Sequence, residues 1–199
     1  MIIKICGITR PEDAQAAAAA GAAAIGFNFY PRSPRFIDPE AAGAIDTEGM
    51  ARVGVFVNEP PRRIEEIARI ARLDIAQLHG DETRDQYPAR LAVWKAARVE
   101  QGFDLSAWQD CPAEALLLDG PAALLYGGAG IPFDWSIARA ASRKIILAGG
   151  LDSSNVRSAV EQAHPWGVDA CSRIESSPGI KDHQKMIAFI QAAKQAFQC

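Results

Sequence analysis

Residues 1–9 of the chain read MIIKICGIT, a short apolar run that predicts a buried β-strand over Ile2–Cys6. This strand carries a lysine and a thiol among its isoleucines, and a glycine follows it. Successive side chains on a strand point to opposite faces, so Ile3 and Ile5 share one face while the lysine and the thiol share the other. The run therefore predicts a strand with one apolar face and one face that carries reactive groups.

Similar apolar, β-rich runs recur along the chain at intervals of about one strand, one helix and two short loops. The eight predicted strands are Ile2–Cys6, Ala23–Phe27, Arg52–Val57, Asp74–Leu78, Ala92–Ala96, Ala115–Leu118, Lys144–Ala148 and Gly167–Ala170. Helical patterns lie between most of them, most clearly at Pro11–Ala20, Pro60–Arg72, Ser153–Ala163 and Lys181–Phe197. We expect about seven or eight helices, with a weak one at Glu100–Cys111 because Gly102 interrupts it.

Eight strands that alternate with helices fit two α/β architectures, an open doubly wound sheet and a closed (β/α)8 barrel. A dinucleotide-binding sheet would place the pattern GxGxxG after its first strand, whereas this chain has CGITRP with one glycine. No linker divides the 199 residues. The sequence therefore predicts a TIM barrel formed as a single domain over residues 1–199, close to the lower size limit of that fold.

Composition excludes several classes of protein. The net charge of −3 argues against a nucleic-acid partner, and no apolar run approaches the roughly 18 residues of a membrane span. The cysteines are far apart and form no CxxC pair, a spacing that suits neither a zinc site nor a disulfide scaffold. We therefore expect a cytoplasmic protein with no metal and no membrane contact.

Polar side chains stand at the ends of several predicted strands. Cys6 ends the first strand, Gln77 and His79 share a face at the end of the fourth, and Asp119 follows the sixth. Each has a simpler explanation, as a buried thiol, a structural histidine or a turn residue. The carboxyl ends of barrel strands meet at one mouth, which is where barrel enzymes keep their active sites. Together these residues therefore predict an active site at that mouth.

Glycine clusters follow the later strands: GGAG at residues 127–130, Gly149-Gly150, and the segment CSRIESSPG after the eighth strand. Glycine lets the backbone approach phosphate oxygens closely, and barrels often bind phosphate in the loops after strands seven and eight. We therefore predict a phosphate site there. The long loop Phe27–Glu40 carries Arg32 and Arg35, which suit either a carboxylate ligand or a solvated basic loop.

These segments resemble the phosphoribosylanthranilate isomerases of tryptophan biosynthesis over nearly the whole chain. The segments that carry the resemblance are KICGIT, GFNFYPRSPRFI, VGVFVN, AQLHGDE, LLLDG, YGGAGIPFDW, LAGGLDSSNV and PGIKDH, in the family's order. The resemblance implies a (β/α)8 barrel with a phosphosugar substrate and neither a metal nor an organic cofactor. The implied reaction is an Amadori rearrangement of N-(5-phosphoribosyl)anthranilate to the carboxyphenylamino-deoxyribulose phosphate.

The resemblance also implies roles for individual residues. Cys6 would be the base that removes the proton from C2 of the sugar, and Asp119 the acid that protonates the ring oxygen. The acid role requires a protonated Asp119 at neutral pH, and a cation near Cys6, such as Lys4, would favour the thiolate. Arg35 would hold the anthranilate carboxylate. The other implied substrate-binding residues are Gln77, His79, Gly128, Gly130, Gly149, Gly150, Ser172 and Arg173.

One segment departs from the family, which often has Ser-Ser-Gly where this chain has Cys171-Ser172-Arg173. The Arg173 guanidinium either joins the phosphate contacts or turns to solvent or towards Glu175. Two other functions remain open: another sugar-phosphate barrel, such as the histidine-pathway isomerase or a pentose-phosphate epimerase, and a phosphate-binding barrel without activity. The histidine-pathway isomerases and the pentose-phosphate epimerases rely on carboxylates, or on carboxylates with a metal, where this chain has Cys6. Monomer and homodimer are both compatible with the sequence.

Overall fold

The computed structural model describes residues 1–120 and 133–198. Within them, eight parallel strands pair in chain order, and the last pairs with the first to close a barrel. The strands are β1 (Ile2–Cys6), β2 (Ala24–Asn28), β3 (Ala51–Phe56), β4 (Ile75–Leu78), β5 (Ala92–Arg98), β6 (Ala115–Asp119), β7 (Ile145–Leu147) and β8 (Gly167–Ala170). The predicted (β/α)8 fold is confirmed; a single domain over all 199 residues stays a prediction.

The connections differ more from expectation than the strands do. The α-helices in the described residues are α1 (Pro11–Ala20), α2 (Pro39–Ala44), α3 (Pro61–Ala71), α4 (Val156–Ala163) and α5 (His183–Gln198). Short 3-10 helices occupy Arg84–Gln86, Leu105–Trp108, Trp135–Ala140 and Ser172–Ile174. Of the seven or eight helices expected, several are short 3-10 helices in this part of the chain, because prolines and Gly102 interrupt the connections on either side of β5.

Helix α2 lies partly inside the segment predicted to be a loop. Its first turn is set by Asp38, whose side chain accepts a hydrogen bond from the backbone N–H of Glu40, and by Pro39 in the first helical turn. After β8 the chain forms a hairpin of β9 (Glu175–Ser177) and β10 (Ile180–Lys181) before α5 begins. The hairpin brings charged side chains to the mouth of the barrel.

Strand alternation divides the apolar residues into two layers. Ile3 and Ile5 belong to the large outer layer that packs between strands and helices, as the sequence predicts. The lumen is filled by a smaller set, Ala24, Val53, Trp94, Ala96, Ala115, Leu117, Ile146 and Ala148. On the β1–β8 side the lumen also holds two charged side chains, Lys4 and Asp169.

A buried ion pair lies in that part of the lumen. Lys4 and Asp169 are direct neighbours across the β1–β8 pairing, and Lys4 Nζ lies 2.9 Å from Asp169 Oδ1 with the lysine side chain fully buried. Gly26 leaves room for it, because a Cβ there would stand 3.1 Å from Lys4 Cε and 2.8 Å from Cys6 Sγ. Burial raises the pKa of Asp169 to about 7 against the opposing attraction of Lys4. The lysine therefore holds its charge beside a carboxylate that is only partly ionised at neutral pH.

Substitution of one partner should destabilise the barrel strongly. We expect Lys4→Met to lower the free energy of unfolding by about 3–5 kcal/mol at pH 8, because it leaves the Asp169 carboxylate buried without its cation. The double variant Lys4→Met/Asp169→Asn removes both charges and should regain most of the loss. Urea unfolding measures both. A single variant that costs less than about 1 kcal/mol, or a double variant as unstable as the single one, contradicts this account.

Candidate active site

One pocket opens at the carboxyl ends of the strands, where the sequence predicts the site. It brings together every predicted site residue that the structure describes: Cys6, Arg35, Gln77, His79, Asp119, Gly149, Gly150, Ser172 and Arg173. Gly128 and Gly130 lie outside the described residues, so their predicted role stays a prediction. The thiol of β1 and the carboxyl of β6 therefore face the same enclosed space.

Cys6 is the last residue of β1 and is almost completely buried. Its thiol contacts the thiol of Cys171, which follows β8, and lies beside the ammonium group of Lys4. The hydrogen bond with Cys171 comes first among the causes that hold the pKa of Cys6 well below its usual value. Lys4 and the more distant Lys181 add to the effect, and burial opposes it. Cys6 thus has the surroundings of a thiolate at neutral pH.

Asp119 ends β6 and belongs to a chain of hydrogen bonds that crosses to β4. Asp119 Oδ2 lies 3.2 Å from His79 Nε2, and His79 Nδ1 lies 3.0 Å from Gln77 Nε2. The two β4 residues share the inward face because they are separated by one residue, as expected from AQLHG. With the amide nitrogen of Gln77 donating to Nδ1, the imidazole proton lies on Nε2 and is donated to the carboxylate. The chain orients the Asp119 carboxyl towards the pocket.

Arg35 reaches the pocket from the loop after β2. Its Nε and Nη2 donate to both carboxylate oxygens of Glu175 on β9, at 2.7–3.1 Å, and Lys181 Nζ lies 2.9 Å from the same carboxylate. Gly7 makes this path possible, because a Cβ there would stand 2.8 Å from Arg35 Cδ. Glu175 therefore binds one edge of the guanidinium, the edge formed by Nε and Nη2.

Gly149 and Gly150 follow β7 with backbone φ angles of 79° and 70°, a left-handed conformation that favours glycine. A Cβ on Gly149 would also lie 2.3 Å from the backbone nitrogen of Gly120, so only glycine fits against the end of β6. Asn155 fixes the loop by donating from Nδ2 to the carbonyl of Gly150. The loop therefore presents backbone at the rim of the pocket, as a phosphate site requires.

Arg173 turns to a partner that the sequence did not suggest. Its Nη1 lies 3.0 Å from Asp152 Oδ2, at the rim beside the glycine loop. The sequence left open whether Arg173 contacts the phosphate, solvent or Glu175, and Asp152 was not among these alternatives; Glu175 itself is held by Arg35 and Lys181. The guanidinium neutralises a carboxylate that would otherwise repel an anion bound next to Gly149-Gly150.

Sequence reasoning missed two acidic groups of this site. Asp169 lines the pocket beneath Cys6, and the alternation of GVDAC in β8 places it on the same face as Cys171. That pattern was available in the sequence but was not used. Glu175 had no such signal, because its contact with Arg35 spans 140 positions of the chain.

Residues 1–120 and 133–198 contain no group of three or more His, Cys, Asp or Glu side chains placed to hold a metal ion. No helix among them has the length and apolar character needed to cross a membrane.

The model of the family described as N-(5'phosphoribosyl)anthranilate (PRA) isomerase matches residues 3–192 of the chain. The N-(5'-phosphoribosyl)anthranilate isomerase of Solibacter usitatus is 68% identical over 196 residues, which cover 98% of each protein. The crystal structure of phosphoribosyl anthranilate isomerase from Thermotoga maritima is similar with a TM-score of 0.90 and 40% identity, covering 98% of this chain and 100% of that one. A further crystal structure of phosphoribosyl anthranilate isomerase, in complex with reduced 1-(o-carboxyphenylamino)-1-deoxyribulose 5-phosphate, has a TM-score of 0.86, 40% identity and the same coverage. The chain therefore belongs to the phosphoribosylanthranilate isomerase family.

Proposed function

We propose that this chain converts N-(5-phosphoribosyl)anthranilate into 1-(2-carboxyphenylamino)-1-deoxyribulose 5-phosphate, with Cys6 as the base and Asp119 as the acid. The observation that carries this proposal is the shared pocket, in which a thiol with a lowered pKa and a hydrogen-bonded carboxyl stand at the ends of β1 and β6. An isomerisation of this kind needs one proton donor and one proton acceptor on the same sugar. The two groups fit that requirement.

The first step opens the furanose ring. Asp119 gives its proton to the ring oxygen as the bond between that oxygen and C1 breaks, and the nitrogen lone pair forms an iminium at C1. His79 and Gln77 support both states of the acid. A protonated Asp119 carries its proton on Oδ1, towards the sugar, while Oδ2 accepts from His79 Nε2–H, and the ionised carboxylate keeps the bond from Nε2–H after the transfer. In both states the Gln77 amide nitrogen donates to Nδ1, which is the amide orientation of the structure.

The second step moves a proton from carbon to sulfur. The Cys6 thiolate takes the proton from C2, and the electron pair of that bond forms the C1=C2 double bond as the iminium becomes an amine. The resulting enolamine loses the proton of its C2 hydroxyl and gains one at C1, which gives the ketone. Atoms and electrons balance with proton transfers alone. The cationic iminium acidifies the C2 proton, so that a thiolate is a strong enough base.

The two ends of the substrate bind at opposite sides of the mouth. Arg35, held by Glu175, presents Nη1 to the anthranilate carboxylate. The phosphate binds at the loops that contain Gly149, Gly150, Ser172 and Arg173, where backbone N–H groups can approach its oxygens. The GGAG loop with Gly128 and Gly130 is part of the same proposal.

We place this reaction in the cytoplasm, where a reducing environment keeps the Cys6 and Cys171 thiols free. The proposed ligand is a small anionic phosphosugar. Neither nucleic acid nor a membrane is part of the proposal, and a monomer or a homodimer stays a prediction.

The activity and its base can be tested in one assay. Purified protein should remove the fluorescence of freshly made phosphoribosylanthranilate faster than its spontaneous decay. We expect Cys6→Ala to lower kcat about 10²–10⁴-fold, because the base is lost, with little change in the urea midpoint. Cys111→Ala is the control, since that thiol contacts Tyr87 outside the pocket. Near-normal turnover by Cys6→Ala would show that the base is another group, and no turnover by the wild type would end the proposal.

Asp119→Asn tests the acid. The amide still reaches His79 but has no proton to give to the ring oxygen, so we expect kcat to fall about 10²–10⁴-fold. The exposed Asp110→Asn variant controls for the loss of one negative charge. Steady-state kinetics over pH 6–9 decide the matter, and an Asp119→Asn enzyme with normal kcat contradicts the assignment.

Arg35→Lys tests the carboxylate site. A lysine keeps the charge but not the planar fork held by Glu175, so KM should rise about tenfold or more while kcat changes little. Arg62→Lys is the matched control, because Arg62 is exposed and does not line the pocket. A large loss of kcat with unchanged KM excludes the assigned role.

A further inference from the structure

Cys6 and Cys171 oppose each other at the seam that closes the barrel. In the parallel pairing of β1 with β8, Ile5 lies opposite Ala170, and the residue after each is a cysteine: Cys6 ends β1 and Cys171 directly follows β8. Backbones at this spacing lie about 4.8 Å apart, and paired residues direct their side chains to the same face. The sulfur of Cys171 lies against the end of β1, 3.1 Å from the position of a Cβ on Gly7. Two thiols therefore share one corner of the pocket and contact each other.

The charges around the pair decide which thiol ionises. On the β8 side, Lys181 Nζ lies 4.0 Å from Cys171 Sγ but also 2.9 Å from the Glu175 carboxylate. Arg35 and Lys181 keep the pKa of Glu175 low despite its burial, so the carboxylate is ionised at neutral pH and holds the Lys181 ammonium group at 2.9 Å. On the β1 side, Lys4 contacts Cys6 and has as its partner Asp169, which is only partly ionised near pH 7. The negative charge is therefore more stable on Cys6, and Cys171 keeps its proton.

We propose that Cys171 is a positioning residue that donates an S–H hydrogen bond to the Cys6 thiolate. This inference rests on the proposed role of Cys6 as the base. This bond holds the thiolate towards the sugar and spreads part of its charge over a second sulfur. When Cys6 takes the C2 proton, the charge disappears and the bond weakens. Cys171 therefore stabilises the resting base more than its protonated form, and it does so without touching the reacting atoms.

A serine hydroxyl at position 171 can also donate to the thiolate, so Cys171→Ser conserves the interaction. Cys171→Ala removes the donor and leaves the backbone, Lys4 and Lys181 in place. The two variants change volume in the same direction, and they differ in whether a donor faces Cys6.

The test is the pH dependence of Cys6 alkylation by iodoacetamide, followed by mass spectrometry of the peptide that contains Cys6. We expect Cys171→Ala to raise the midpoint of this curve by about one pH unit, which is about a tenfold slower reaction below the midpoint. Cys171→Ser should keep a midpoint close to that of the wild type. The acid limb of the kcat/KM profile should move with the alkylation midpoint in each variant. Urea unfolding of each variant confirms that the protein analysed is folded.

Two results overturn the proposal: an unchanged midpoint in Cys171→Ala, or equal shifts in the alanine and serine variants, which point to packing alone. The alkylation uses no substrate, so its outcome is separate from the proposed reaction. If Cys6→Ala turned over normally, the base assignment would fail while the alkylation curves still reported the contact between the two sulfurs.

Discussion

A lysine with no exposed surface stands in the barrel beneath the mouth, and the rest of the site is arranged around its charge. Burial of an ammonium group is costly, so Lys4 requires an anion, and β8 supplies Asp169 at the directly paired position. The pKa of Asp169 is itself raised to about 7, so its carboxylate compensates the Lys4 charge only in part near neutral pH. The uncompensated part of the Lys4 charge favours the ionised form of the Cys6 thiol. A structural ion pair thus turns an ordinary cysteine at a strand end into a candidate base.

The proposed acid and the proposed base stand on different strands of the barrel. The acid stands on β6 and is oriented by a histidine and a glutamine of β4, while the base stands on β1 between β8 and β2. Glycines mark the positions where side chains cross backbone: Gly7 admits Arg35, and Gly26 admits Lys4 and Cys6. Each group therefore has neighbours of its own, and the surroundings of the thiol differ from those of the carboxyl although both face one pocket.

The sequence predicted what depends on local pattern. Alternation predicted the eight strands and the inward direction of Lys4 and Cys6, and the motifs predicted the family, which the comparisons confirm. Features that depend on contacts between distant segments were missed. Arg173 pairs with Asp152, Glu175 holds Arg35, and Cys171 meets Cys6 only because β8 closes against β1. Short connections that use 3-10 turns carry too few residues for a helical period to be recognised.

The Cys6 thiol and the Asp119 carboxyl are proposed to exchange protons with different atoms of one bound sugar. A crystal structure of the protein with the reduced product analogue bound tests this arrangement. We expect Cys6 Sγ next to C1 and C2 of the ribulose chain, Asp119 next to the former ring oxygen, and the phosphate against Gly149-Gly150. An analogue bound in the reverse direction, or one with C2 beyond the reach of the sulfur, would contradict it.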